Sequence, residues 1–173
     1  MSALASAGTI GRPDEIALGD IAHLYELFRV LQAAEAWRSH GEWITAHPGA
    51  LAPDVEARFQ FGRSVTPDRE AEARTELAVQ RDHLDRMLGG RILLLPSASS
   101  AAPSLAATPA EFDAVRSRTL GLTCIAGIGG YPAVSAPLLR VAGGPVGLCL
   151  VGPRGTDLAL VRVAASLAGS LVA

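Results

Sequence analysis

From Thr119 to Ala173, glycine and proline cut the chain into pieces that leave room only for short strands and a closing helix. Gly130-Tyr131-Pro132 opens an apolar run, Ala133-Val134-Ser135-Ala136-Pro137. Gly143-Gly144-Pro145 then turns the chain into a second run, Val146-Gly147-Leu148-Cys149-Leu150-Val151. The pair reads as a hairpin. Gly152-Pro153-Arg154-Gly155-Thr156-Asp157 leads into an apolar helix, with Thr156 or Asp157 as its N-terminal cap.

The earlier two thirds read mainly as helices. Residues 1–19, rich in Gly, Ala and Ser and containing Pro13, read as a loose leader or linker. Asp20 occupies an N-cap position, and Leu24, Leu27, Phe28 and Leu31 follow at helical spacing in a stripe that runs on toward Trp37. That helix is expected to end near His47-Pro48-Gly49, and Pro53 to start a short one through Phe61. Thr66 as cap with Pro67 in first position begins a helix to Leu88, with Glu70 and Arg74 one turn apart and Gly89-Gly90 as its stop. Ile92-Leu93-Leu94-Leu95, ended by Pro96, is a continuous aliphatic run of the kind found in a strand buried on both faces. Thr108 and Glu111 have capping-box spacing, so a helix should run from Pro109 to about Ile128. The expected class is α/β, with about five helices covering about three strands of a mixed sheet, and no interior domain boundary is visible.

Composition narrows the chemistry. Of 173 residues, 49% are hydrophobic and only 18% charged, which makes the chain rich in core and short of solvated surface. A net charge of −2 gives no steering toward nucleic acid or an anionic membrane. All fifteen basic residues are arginine, so no lysine is present to form a Schiff base, act as a general base or serve a P-loop. Cys124 and Cys149 lie in apolar surroundings and read as buried free thiols, which fits a reducing cytoplasm. The first seven residues have no basic n-region and do not read as a signal peptide. The most apolar stretch, Leu158 to Ala173, is interrupted by Arg162 and is not a membrane span.

Candidate sites are few. His23, His40, His47 and His83 have no partner at ligand spacing, so neither a metal nor a cofactor is expected. Gly127-Ile128-Gly129-Gly130 follows a helix and precedes a strand, the reverse of a phosphate-binding loop, and reads as a helix stop. Ser97, Ser99, Ser100 and Ser104 gather in a Ser/Ala/Pro loop directly after the Ile92–Leu95 run. Loops at the carboxyl ends of strands are where ligands bind, although a mobile small-residue loop has the same composition. A serine nucleophile needs a base within hydrogen-bond reach, and no base lies beside these serines in the sequence.

Several segments, in order, resemble the carboxy-terminal half of amidase signature enzymes. They are Phe28-Arg29-Val30-Leu31-Gln32-Ala33-Ala34-Glu35-Ala36-Trp37, Leu94-Leu95-Pro96-Ser97 followed by Ala102-Pro103, Gly130 to Pro132, Ser135 to Pro137, and Gly144 to Leu148. The resemblance runs from about Leu24 to Leu167 and implies a partial amidase signature fold, with residues 20–173 as the segment. It implies a substrate pocket lined by Ser97, Ser99, Ser100 and Cys124. Two positions depart from the family pattern: Gly127 stands where asparagine is frequent, and Ser97 where threonine is common. The family hydrolyses amides with a serine nucleophile, a cis-configured bridging serine and a lysine base, and none of these transfers to a position here. Arginine cannot accept the proton that the lysine takes. The resemblance therefore implies a truncated amidase fragment without catalytic residues, inactive alone. Alternatives are one subunit of a split enzyme completed by an amino-terminal amidase half, a self-associating chain, or a non-catalytic binding module built on the fold.

Overall fold

The computed structural model describes residues 13–172. Eight elements follow in chain order: α1 (Ile21–Ala46), α2 (Pro53–Ser64), α3 (Pro67–Leu88), β1 (Leu93–Pro96), α4 (Pro109–Gly129), β2 (Ala133–Val141), β3 (Gly144–Val151) and α5 (Asp157–Val172). The five helices and three strands are those expected from glycine, proline and cap residues. Thr66 accepts from the Arg69 N–H at 3.2 Å, and Thr108 and Glu111 complete the capping box. Gly130 ends α4 in the left-handed region, at φ 64° and ψ 34°, while the Tyr131 N–H reaches back to the Ala126 carbonyl at 2.9 Å. A residue with a Cβ is disfavoured there, which is why a glycine closes this helix.

The chain separates into two compact units where the sequence showed no boundary. One holds Ala22–His83; the other holds the described residues up to Ile21 together with Leu84 onward. One boundary lies at the first residue of α1 and the other inside α3, so no Gly/Pro linker marks them.

The Ala22–His83 unit is helical. Leu24, Leu27, Val30, Leu31, Ala34 and Ile44 form the buried stripe of α1, and Ala73 and Leu77 that of α3. Gly62 lets α2 approach α1 closely: a Cβ on it would lie 2.2 Å from the Ala33 carbonyl oxygen. Charges tie the outer surface, with Arg38 on Glu70 at 2.6 Å and Glu70 on Arg74 at 2.7 Å. These arginines hold the Glu70 carboxyl below its ordinary value. All four histidines are exposed.

The other unit is built on a three-stranded sheet of order β1-β3-β2. These three strands are antiparallel to one another: β2 and β3 form a hairpin, and β1 runs against β3. β2 extends through Pro137 to Val141, longer than expected, by way of a register shift between Ala136 and Leu139. β1 is buried on alternate positions, Leu93 and Leu95, and among the described residues it lies at a sheet edge. Leu148, Leu150 and Ala136 pack on Leu160, Ala164 and Leu167 of α5. Each fully buried large aliphatic side chain of this cluster contributes roughly 1.5–3 kcal/mol of cohesion.

Residues 1–12 of the expected leader lie outside the described residues. In the part that is described, residues 13–20 form no helix or strand, and Ile16 and Leu18 are half-buried and help enclose a cavity beside β1.

Candidate functional site

The sheet brings two serines together. The Ser97 N–H donates to the Gly147 carbonyl at 2.8 Å, carrying the β1–β3 ladder one residue past Pro96. Ser135 pairs with Cys149, two residues further along β3. Side chains alternate along a strand, so Ser97, Gly147, Cys149 and Ser135 share the face opposite α5. A Cβ on Gly147 would fall 2.2 Å from Ser97 Oγ and 2.4 Å from Ser135 Oγ. The two hydroxyls therefore converge over the glycine, which is there for room. Among the described residues neither hydroxyl has a protein hydrogen-bond partner. The pair offers two donors and four acceptor lone pairs to a small polar group. Neither hydroxyl is held by a base, so neither is an activated nucleophile.

The other expected pocket residues lie elsewhere. Ser99 is pinned to α4: its N–H donates to Thr119 Oγ1 at 3.1 Å and its hydroxyl to the Val115 carbonyl at 3.1 Å. The loop is thus anchored rather than free at this point. Ser100 donates to the neighbouring Ala101 carbonyl at 2.8 Å. Cys124 is buried in α4 and donates to the Gly121 carbonyl at 3.2 Å. Burial pushes its thiol up to about 11, and burial raises Cys149 as well. Both are therefore protonated and inert at neutral pH. Of the four residues expected at a pocket, only Ser97 presents an uncommitted hydroxyl. Its companion, Ser135, was missed because the alignment of the two serines depends on strand register, which the sequence does not reveal.

Two further features belong to the sheet unit. A cavity of about 670 Å³ lies along β1, with Ile16 and Leu18 on one side and Leu94, Leu150, Val163 and Leu167 among its apolar walls. Arg91 stands at its rim, occupied by the Met87 and Leu88 carbonyls and 3.9 Å from Asp14. Separately, Asp85 accepts the Tyr131 hydroxyl at 2.5 Å and Arg154 Nη1 at 3.1 Å, while Arg154 Nε reaches the Gly129 carbonyl at 2.7 Å. These groups serve one another. The cluster clasps the end of α4 to the end of α3 and to the turn before α5. Among the described residues no group of His, Cys, Asp and Glu could hold a metal ion, and no helix is long and apolar enough to cross a membrane.

Comparison with known proteins places this geometry. No protein-family model matches the chain. Amidase 1 of Arabidopsis thaliana is 28% identical over 155 residues, which is 89% of this chain but only 36% of that protein. A crystal structure of an amidase, also 28% identical, superposes with a TM-score of 0.74 over 84% of this chain and 35% of its own. An inhibitor-bound structure, described as a vestigial protein complex that reveals the origins of an s-triazine catabolic enzyme, reaches a TM-score of 0.78 over 99% of this chain and 39% of its own, at 20% identity. The chain spans little more than a third of the relatives it matches. The chain is similar to part of an amidase, and its fold matches part of the amidase fold.

Proposed function

We propose that residues 20–173 form the carboxy-terminal, non-catalytic segment of an amidase, a hydrolase of carboxamide C–N bonds, and that this segment does not hydrolyse amides by itself. The observation that carries this reading is the asymmetry of the match: nearly all of this chain corresponds to little more than a third of an amidase. The chemistry of these residues supports it. The relay ascribed to the family needs a lysine base, and these residues contain none. The converging Ser97 and Ser135 hydroxyls lie without an activating base. In this reading they form part of a wall that hydrogen-bonds the substrate, while Ser99 and Ser100 hold the loop behind it. The proton relay and oxyanion donors come from the part of the fold not represented here. The two buried thiols fit a cytoplasmic setting. Incubating the purified chain with simple aromatic and aliphatic carboxamides tests the reading. No turnover above blank is expected, and turnover abolished by substituting a serine of this chain would remove it.

A second reading has its own support. A structural neighbour is described as a vestigial protein complex, which supports a protein partner for a chain of this fold. In that reading the chain is one subunit of a split amidase, completed by an amino-terminal chain bearing the lysine and a Gly/Ser-rich region. Co-expression with such a chain should restore carboxamide hydrolysis.

A further inference from the structure

The two outer edges of the sheet are built differently. β2 carries the devices by which natural edge strands avoid pairing: Pro137, the register shift between Ala136 and Leu139, and the charge of Arg140. β1 has an unbroken ladder and no charge across Leu93-Leu94-Leu95. The Ser97–Gly147 bond fixes which of its groups face β3. In an antiparallel ladder bonded residues alternate, so Leu93 and Leu95 face β3 and the Leu94 N–H and C=O face outward. Pro96, with no N–H, ends that outward row. The apolar cavity lies beside this edge, and Pro13 to Leu18 across from it do not pair with β1. Ile92 leaves 39% of its surface exposed at the same place. A continuous aliphatic run belongs in a sheet interior, yet here it borders a void.

Resting on the split-enzyme reading, we infer that the outer edge of β1 is the seam of the complete enzyme. A separate polypeptide carrying the amino-terminal part of the amidase fold adds an apolar strand there. Its backbone pairs with the Leu94 N–H and C=O, and its branched aliphatic side chains fill the cavity above Leu150, Val163 and Leu167. The share of the amidase fold lying outside this chain is large enough to supply such a strand. β2 stays an outer edge.

The test uses the full chain, affinity-tagged and purified from the cells that make it. Mass spectrometry should identify a companion amidase-type chain containing lysine. Hydrogen exchange at the Leu94 amide should slow by at least ~10-fold in the complex relative to the chain alone, with the β2 outer amides unchanged. Ile92→Lys, at an exposed position, should leave the thermal transition of the chain intact and weaken retention of the companion by at least ~10-fold, whereas Arg140→Glu should not. A companion that protects β2 and leaves Leu94 exchanging freely overturns the seam but not the split-enzyme reading. No amidase-type companion overturns both. A dimer of this chain alone with Leu94 protected shows that a second copy occupies the edge, and overturns the seam as stated.

Discussion

A single hydrogen at Gly62 decides whether α2 and α1 can meet, because the Ala33 carbonyl oxygen lies 2.2 Å from where a Cβ would stand. Backbone cannot step aside as a side-chain tip can. Gly62→Ala should lower stability by about 1–3 kcal/mol, read as a shift in the urea midpoint, and an unchanged midpoint would contradict the close approach. Tyr131→Phe removes the hydroxyl donated to Asp85. A hydrogen bond to a charged group is worth roughly 1.5–3 kcal/mol, so a loss near the lower end is expected, since Arg154 still serves the carboxylate. Cys124 gives a pH signature. Its folded value, about 11, lies above that of an unfolded thiol, so between the two the folded state holds the extra proton. The contribution is complete below the unfolded thiol value and fades as pH rises toward 11. Urea unfolding across that range should show a decline that Cys124→Ala flattens. The sequence indicated that both cysteines are buried, because their neighbours are aliphatic. It could not indicate that Ser97 and Ser135 converge, because that depends on both strands' register against β3, which lies far from Ser97 in the sequence.

At the scale of elements, the helices were legible because their ends are written in local chemistry. Thr66-Pro67, the Thr108/Glu111 box and Gly130 each satisfy or stop backbone groups within a turn of themselves. Gly130→Ala should cost about 1–2 kcal/mol by forcing a Cβ into the left-handed region, measurable by thermal melting. Strand partners were less legible. The aliphatic run at β1 carries the pattern of an interior strand, and among the described residues it is an edge. That mismatch between local pattern and observed neighbours is the basis for the proposal that a partner strand pairs beside Leu94. The hairpin signal fixes β2 against β3, but nothing local states the direction of β1.

Across the whole molecule, the absence of a visible boundary in the sequence has a simple cause. One division falls at the first residue of α1 and the other inside α3, where no change of composition marks it. The functional account also belongs at this scale, since no single residue carries it. The proposed role of a pocket wall rests on three observations together: a match to a little over a third of an amidase, the absence of lysine from the sequence, and serines brought together without a base beside them. The most direct measurement is intact-mass analysis of the purified chain after exposure to a phosphonylating or acylating serine-directed probe, with no other protein present. The account expects an unmodified mass. A stoichiometric covalent adduct on one serine, lost when that serine becomes alanine, would contradict it.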